Sequence, residues 1–403
     1  MIYLGSNEIA AIKLGNTDIS AIYAGDLLIW PTSVTGWSVQ PSTIEAEWGG
    51  GTENIRITSL SAWTISSSES WVTFSQNSGD SGRSTVIATI ANNTSDARTA
   101  TITVTDGTNV STISVSQEAY EDYASQYLTF EILSAGTISW KAGSNATKRT
   151  IQYSINDGTW TSITASTAGT TFNVAVGDKV RFKGTNSTYS TQSASTYSNT
   201  FAGTTAAVKA YGNIMSFVAG DNFQTANTFS ATYVFRSFLS FSGVTDAENL
   251  VLPVTALTEG CYMGLLADTN ITIAPKLPAT NLAKSCYWNI FLRCSNLVTP
   301  SELPATTMKE SCYRAMYYGT KITTAPELPA PTLTTSCYYQ MFEGCSNLNY
   351  IKCLATNISA TTPLNNWVRG VAASGTFVKA ASMTSWPSGN NGIPNNWTVV
   401  NNS

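Results

Sequence analysis

The sequence predicts a mainly β, multidomain chain that ends in a stack of short repeats. Four Leu-Pro pairs near the C-terminus are each followed, nine residues after the Leu, by Cys-Tyr; they begin at Leu252, Leu277, Leu303 and Leu328. A period of this length marks a solenoid, in which neighbouring units stack to bury a face that no single unit can bury. Two earlier blocks contain short alternating strands. Only 11% of the 403 residues are charged, against about 25% usually, which suits surface modules better than cytosolic enzymes.

These patterns divide the chain into five predicted segments. In chain order they are an N-terminal strand-repeat segment (1–33), a first β-sandwich (34–120), a second, Ig-like β-sandwich (124–212), a short α/β leucine-rich-type solenoid (213–360) and a C-terminal cap (361–403).

The first segment repeats every ten residues. Its units begin Ile2-Tyr-Leu-Gly5, Ile12-Lys-Leu-Gly15 and Ile22-Tyr-Ala-Gly25, and each predicts a strand, a glycine turn and a second short strand. Three such units are too small for a core of their own, so we expect residues 1–31 to fold against partner chains. The alternative is a strand-rich extension packed on the next domain. The units resemble N-terminal segments of gut bacteriophage structural proteins, which implies a mounting piece on a virion. Residues Trp30 to Gly36 predict a short linker.

The block at residues 34–120 alternates apolar and polar residues, as at Ile44, Ala46 and Trp48, and predicts an antiparallel β-sandwich. The residues that carry a family resemblance are Trp63-Thr-Ile65, Trp71-Val72, Ser78-Gly79, Val86 to Ile90, Asn92-Asn93, Arg98, Thr101 to Val104 and Val115-Ser-Gln117. They resemble the BACON domain of Bacteroidetes proteins, which implies an attachment module and carbohydrate association. We expect Trp63 and Trp71 to fill the core, and stacking on sugar rings is the alternative.

The block at residues 124–212 predicts a second sandwich of about seven strands. Its firmest feature is the hairpin turn at Asn156-Asp157-Gly158, between alternating runs. The runs Tyr153 to Trp160 and Gly177 to Gly184 resemble a module that often precedes BspA-type repeats in Bacteroidales and their phages.

Each C-terminal repeat predicts one strand, one turn and one short helix. In the last unit Cys337, Met341 and Cys345 are spaced four apart, as on one helical face, and Gly344 is placed to end the helix. The order Leu-Pro, Leu, Cys-Tyr, Met-Phe, Cys, Leu resembles the leucine-rich-type repeats of the BspA family, which implies a surface-exposed adhesive role. Turns and aromatic residues after residue 361 predict a cap that hides the last core face.

All seven cysteines lie between Cys261 and Cys353, and four occupy one repeat position. This distribution favours a ladder of buried thiols over a disulfide framework, because the number is odd and the spacings are wide. Reduced cysteines fit synthesis in a cytosol. The chain has no histidine, so we expect no metal site, no cofactor and no catalytic Ser-His or Cys-His pair. A carboxylate pair of the glycosidase type is possible by inventory, but no motif nominates one, and we predict no enzyme.

A net charge of −4 without Lys/Arg clusters predicts no nucleic-acid binding. No window approaches the apolar length of a membrane span, and the N-terminus lacks a basic region before an apolar run. We therefore expect no membrane insertion, no secretion signal and no anchor.

Candidate ligand-binding residues lie where the repeat varies. The residue after Cys-Tyr is Met263, Trp288, Arg314 or Tyr339, and four residues later come Ala267, Leu292, Tyr318 and Glu343. Positions that vary while their neighbours recur should face outward, so we predict a ligand-binding strip of Trp288, Tyr318 and Tyr339. In the alternative, these aromatic residues fill a gap against the second sandwich or a neighbouring protomer.

Adhesion-type modules without an export signal lead to a functional hypothesis. A lytic phage makes its structural proteins in the host cytoplasm and exposes them on the released virion. The leading hypothesis is a head or tail fibre of a crAss-like or related Bacteroides phage, a homotrimer attached to other virion proteins through residues 1–31 and meeting a host-surface glycan or protein. The alternatives are a Bacteroidetes cell-surface carbohydrate-binding adhesin and an architectural virion protein without a host ligand.

Overall fold

The computed structural model describes residues 36–402, together with six short strands between residues 3 and 30. The chain is mainly β, with several separate sheets, and it divides into two compact units, Met1–Glu121 and Asp122–Ser403. The boundaries predicted near residues 212 and 360 both lie inside the second unit. Most of the linker predicted between Trp30 and Gly36 lies outside the described residues.

The ten-residue repeat forms three antiparallel strand pairs. They are β1 (Tyr3–Leu4) with β2 (Asn7–Glu8), β3 (Ile12–Leu14) with β4 (Thr17–Ile19), and β5 (Ile22–Ala24) with β6 (Leu27–Trp30). Each unit thus holds the two strands that its sequence predicts. The glycines predicted to form the turns lie outside the described residues.

The rest of the first unit consists of two sheets around one core. The strands are β7 (Ser38–Gln40), β8 (Thr43–Ala46), β9 (Gly51–Ser59), β10 (Trp63–Ser67), β11 (Val72–Phe74), β12 (Ser78–Gly79), β13 (Gly82–Ile90), β14 (Arg98–Thr105) and β15 (Val110–Gln117). Their order is β12-β10-β14-β15-β8 in one sheet and β11-β13-β9-β7 in the other. The pairing is antiparallel as predicted, except that β8 runs parallel to β15, because the chain crosses between the sheets after β7.

Alternation along these strands buries one face of each sheet. Ile55 and Ile57 from one sheet meet Ile102 and Val104 from the other in a single cluster. Trp63 is 1% exposed in this cluster, so the prediction that it fills the core is confirmed.

The second unit begins with eight strands in two further sheets. They are β16 (Leu128–Ile132), β17 (Gly136–Ala142), β18 (Thr150–Ile155), β19 (Thr161–Thr164), β20 (Thr170–Val174), β21 (Lys179–Lys183), β22 (Asn199–Thr200) and β23 (Val208–Asn213). Short helices lie at α1 (Ser216–Ala219) and, as 3₁₀ turns, at Tyr123–Ser125, Ser195–Tyr197 and Gly220–Thr225. The predicted hairpin joins β18 to β19, with Asn156 and Asp157 both at positive φ. Two consecutive positive-φ residues are typical of a type I′ turn, which here begins the connection of residues 156–160 between β18 and β19.

The sheet of the second block continues directly into the repeats. Strand β23 pairs antiparallel with β16 and parallel with β24 (Val244–Asp246) and β25 (Leu250–Val251). Farther along, the extended parts of successive repeats meet through single parallel bridges such as Ile273 with Thr299. One hydrophobic core extends from Leu128 to Trp397. The predicted strand of each repeat is therefore mostly reduced to one bridge.

The helix predicted in each repeat is wrong. The segment from Ser311 to Gly319 is a ribbon of consecutive turns, in which the Met316 N–H bonds the Tyr313 carbonyl at 3.3 Å, while the Ala315 N–H bonds the Tyr339 carbonyl of the next repeat at 2.8 Å. Alternate N–H groups thus bond within the segment and across to the next one. Half of the backbone hydrogen bonds of the ribbon join it to the next repeat, so they hold the stack together. A helix would form its backbone hydrogen bonds only within its own segment.

Every fourth residue of the ribbon has positive φ, which explains the spacing that suggested a helix. Ser336, Gln340 and Gly344 have φ of 53°, 56° and 78°. The two residues that follow Ser336 and the two that follow Gln340 are buried, so Cys337, Met341 and Cys345 are buried at a period of four. Gly344 therefore occupies a recurring left-handed position, and it ends no helix.

Within residues 36–402, six segments of this type stack, although the Leu-Pro and Cys-Tyr pattern marked four. The first, at residues 233–240, replaces Cys-Tyr with Val234-Phe235, and the last, at residues 362–370, replaces it with Pro363-Leu364. The Phe235 N–H bonds the Cys261 carbonyl, and the Tyr338 N–H bonds the Pro363 carbonyl. The first and last segments therefore belong to the same hydrogen-bonded stack. We call these six stretches the turn segments.

The inward residues form ladders along the stack. The rings of Tyr262, Tyr287, Tyr313 and Tyr338 lie in near-parallel succession at centroid separations of 5.9, 6.0 and 6.2 Å. All seven cysteines are free and buried, which confirms the predicted thiol ladder. At the end of the stack, β26 (Tyr350–Cys353), β27 (Thr376–Ala380) and β28 (Thr398–Asn402) form a parallel sheet, and Trp367 donates from Nε1 to the Gly392 carbonyl at 2.8 Å.

Two buried alanines test the turn ribbon. Ala315 is 4% exposed with φ of 47°, whereas Ala267, 6% exposed, lies outside the left-handed positions of its segment. Mutation to Gly removes an equally buried methyl group at both positions. Only Ala315→Gly also relieves the strain of a left-handed backbone conformation, which is about 1 kcal/mol. We expect Ala267→Gly to lower the free energy of unfolding by about 1 kcal/mol more than Ala315→Gly. Urea denaturation measures both, and equal losses contradict the ribbon.

Candidate binding surface

The outward positions of the turn segments form two rows whose register is fixed by the hydrogen bonds between segments. Row 1 holds the residue that follows the tyrosine ladder, and row 2 holds the residue four positions later. Row 1 comprises Arg236, Met263, Trp288, Arg314, Tyr339 and Asn365, and row 2 comprises Ser240, Ala267, Leu292, Tyr318, Glu343 and Arg369. Met263, Ala267 and Glu343 are buried, so the prediction that all varying positions face outward is wrong for these three.

In row 1 an arginine separates the two predicted aromatic residues. The Arg314 guanidinium carbon lies 4.6 Å from the Trp288 ring centroid and 4.3 Å from that of Tyr339. Each such contact contributes roughly 0.5–1 kcal/mol at a surface site. The guanidinium lies between the two rings, and Arg314 forms no ion pair with any described residue.

This arrangement changes what the strip can bind. Arg314 covers one face of Trp288 and one of Tyr339, so a sugar ring cannot stack there while the guanidinium stays in place. The stack instead presents fixed N–H donors flanked by aromatic edges, which suits hydroxyl or carboxylate oxygens. The structure thus brings together two of the three predicted residues around a third that was not nominated.

Tyr318 lies apart from this stack, in row 2, half-buried. The next two positions of row 2 form an ion pair between the buried Glu343 and the exposed Arg369, and Gln340 donates to Glu343 at 2.8 Å. Arg293 similarly binds Asp268 of the preceding segment through two contacts, of 2.6 and 3.1 Å. Of the six row 2 residues, Glu343 and Arg369 are thus paired with each other, and Asp268 and Arg293 form a second pair one position beyond the row.

A cavity of 490 Å³ lies where the first three turn segments face the second block. Five residues of the two rows line it, and this position accounts for the burial of Met263 and Ala267; the five are Arg236, Ser240, Met263, Ala267 and Leu292. Residues of β17, of the 3₁₀ turn at Ser195–Tyr197 and of β22 form the other wall. Trp288, directly beyond Met263 in row 1, does not line the cavity. The three predicted aromatic residues are not among those that line the cavity.

Other aromatic rings also form cation–π contacts. Arg98 lies 4.3 Å from the ring centroid of Trp71 in the first unit. In the second unit the Lys183 ammonium lies 4.4 Å from the Trp160 ring. Trp71 is half-buried and not enclosed like Trp63, so the prediction that it fills the core holds only in part.

In the described part of the chain, no group of three or more metal-ligating side chains occurs, and no helix has the length and apolar character to cross a membrane.

A family model matches part of the first unit. Residues 61–118 match the BACON family, whose description is "Putative binding domain, N-terminal". The predicted BACON resemblance is confirmed for this stretch, which includes β10 to β15. No curated protein matches the chain.

Two solved structures are similar over parts of the chain. A Bacteroides ovatus GH5 xyloglucanase in complex with a XXXG heptasaccharide is 32% identical over 22% of this chain and 21% of its own, with a TM-score of 0.20. A CsuC-CsuE chaperone-tip adhesion subunit pre-assembly complex from Acinetobacter baumannii is 9% identical over 35% of this chain and 91% of that chain, with a TM-score of 0.19. The chain thus spans about a fifth of the length of the xyloglucanase.

Proposed function

We propose that the chain is a non-enzymatic attachment protein that binds glycans through row 1 of the turn segments. The observation that carries this proposal is the guanidinium of Arg314, which lies between Trp288 and Tyr339 without an ion pair to any residue that the structure describes. Its donors are fixed before a ligand arrives, so little side-chain entropy is lost on binding. The BACON match supports a binding role for the first unit as well.

We further propose that the protein is displayed as a virion appendage, a head or tail fibre assembled in the host cytoplasm. In this proposal residues 1–31 attach it to other virion proteins, two Ig-like sandwiches act as spacers, and a leucine-rich-type solenoid is the distal end. Three copies in a homotrimer would make weak sugar contacts effective through avidity. The rival proposals are a Bacteroidetes surface adhesin and an architectural virion protein.

Removal of the row 1 stack tests the binding role. We expect Arg314→Gln and Trp288→Ala each to weaken binding to the preferred glycan of an array by about tenfold, because a charged hydrogen bond or its ring support is lost. Trp160→Ala is the matched control, since this tryptophan also contacts a cation but lies outside the rows. Host adsorption that is unchanged when Trp288, Tyr318 and Tyr339 are all alanine contradicts the role of the strip.

Two measurements test the proposed virion location and the proposed oligomeric state. Mass spectrometry of purified phage particles separates a virion protein from a cell-surface adhesin. Light scattering that shows a stable monomer contradicts the homotrimer.

A further inference from the structure

The cavity between the first three turn segments and the second block contains two cations without counter-ions. Arg236 and Lys141 both line it, and neither forms an ion pair with any described residue. Its one carboxylate, Asp268, is bound by both arms of Arg293. The lining therefore carries a net charge of about +2 in a chain whose net charge is −4.

Arg236 is unusual because its guanidinium is only partly satisfied. Its Nε is buried without a hydrogen-bond partner, and its Nη1 donates to the Ser198 hydroxyl at 3.4 Å. Loss of contact with water lowers the pKa of Arg236. The Arg236 side chain is half-buried, and a charge that has lost part of its hydration is normally paired, so an arginine in this state favours an anion at the cavity wall.

The remaining lining suits a sugar. Hydroxyl groups come from Ser195, Ser198, Thr200, Ser237 and Ser240. The volume of 490 Å³ lies within the range of small-molecule sites and admits one or two sugar rings.

We propose that this cavity binds a carboxylated sugar, such as a uronic acid residue of a glycan, with its carboxylate at Arg236 and Lys141 and its hydroxyls at the serine and threonine side chains. This inference rests on the proposed glycan-binding function and adds a second site to it. The site recognises an acidic residue through Arg236, the first member of row 1, whereas the stack of Trp288, Arg314 and Tyr339 farther along the row contacts the glycan at the surface.

Calorimetric titration of the full chain with sodium glucuronate tests the site, with glucose as the neutral match and glucose 6-sulfate and inorganic phosphate as the other anions. We expect glucuronate to bind about tenfold or more tightly than each of these three. Arg236→Gln should weaken glucuronate binding about tenfold or more, and Lys141→Gln should weaken it several-fold. The exposed Lys276→Gln, which removes the same charge outside the cavity, should leave it unchanged.

Three results overturn the proposal: no glucuronate binding, binding that both cavity variants leave intact, or equal binding of phosphate or glucose 6-sulfate. If Arg236→Gln fails to fold, the glucuronate affinities of Arg236→Lys and of Lys141→Gln, at a half-buried position, still test the proposal. Trp288→Ala separates the two sites. If the wild type does not bind glucuronate but its array binding depends on Trp288, only the cavity proposal is contradicted. If glucuronate binding depends on Arg236 but the array signal is insensitive to Trp288→Ala, only the proposed role of the Trp288, Arg314 and Tyr339 stack is contradicted.

Discussion

Raising the pH from about 8 to about 9.5 is expected to lower the stability of the second unit by several kcal/mol. Burial raises the pKa of Cys261 and Cys353 to about 12, and that of Cys294, Cys337 and Cys345 to about 11. An unfolded thiol ionises near pH 8.5, so above that pH the unfolded state holds fewer protons than the folded state. Each thiol then loses about 1.4 kcal/mol of stabilisation per pH unit, and this stabilisation is complete only below about pH 8.5.

The ladder makes the effect cumulative. Burial raises the pKa of Cys286 and Cys312 as well, and Coulomb repulsion between neighbouring thiolates adds to it. The buried hydroxyls of Tyr262, Tyr287, Tyr313 and Tyr338 act in the same direction at higher pH.

Urea denaturation between these pH values checks this expectation. The first unit contains no cysteine, so its own transition is an internal control that should move little. The double variant Cys286→Ala and Cys312→Ala should be less stable at every pH but should show a shallower pH dependence. A second unit whose stability is constant over this range is incompatible with buried reduced thiols.

The repeat period and its buried positions could be predicted from the sequence, but the local backbone could not. A spacing of four between Cys337, Met341 and Cys345 satisfies both a helix and a ribbon of turns, because both return a side chain to the same face. The distinguishing signal is the residue before each Cys and every fourth residue after it, such as Ser336, Gln340 and Gly344, which must tolerate positive φ. Only one of these three is glycine, so the signal was weak.

The same limit applies to the candidate sites. Trp288 and Tyr339 could be predicted from the sequence because one repeat position varies between them. Arg314 occupies the same position, but only the structure shows that its guanidinium lies between the two rings. The cavity joins Lys141 from β17 to Arg236 and Arg293 from two turn segments. Nothing in local spacing relates residues so far apart in the chain, since the direct passage of β23 into the repeats brings them together.

The ion pair in row 2 gives the second large expected effect. Glu343 is 3% exposed and bonds to Arg369 and to the amide of Gln340. Removal of the arginine leaves a buried carboxylate with a single neutral donor, which typically costs about 3–5 kcal/mol. We therefore expect Arg369→Ala to lower the free energy of unfolding of the second unit by roughly 3 kcal/mol, although Arg369 itself is exposed.

Neutralising the partner should recover most of that loss. Glu343→Gln removes the buried charge, so the double variant Glu343→Gln and Arg369→Ala should be more stable than Arg369→Ala alone. The coupling between the two changes, measured by urea denaturation at neutral pH, isolates the pair from lost packing of the arginine stem. A double variant no more stable than Arg369→Ala would show that the arginine acts through packing, and the charge of Glu343 would then be irrelevant to the stack.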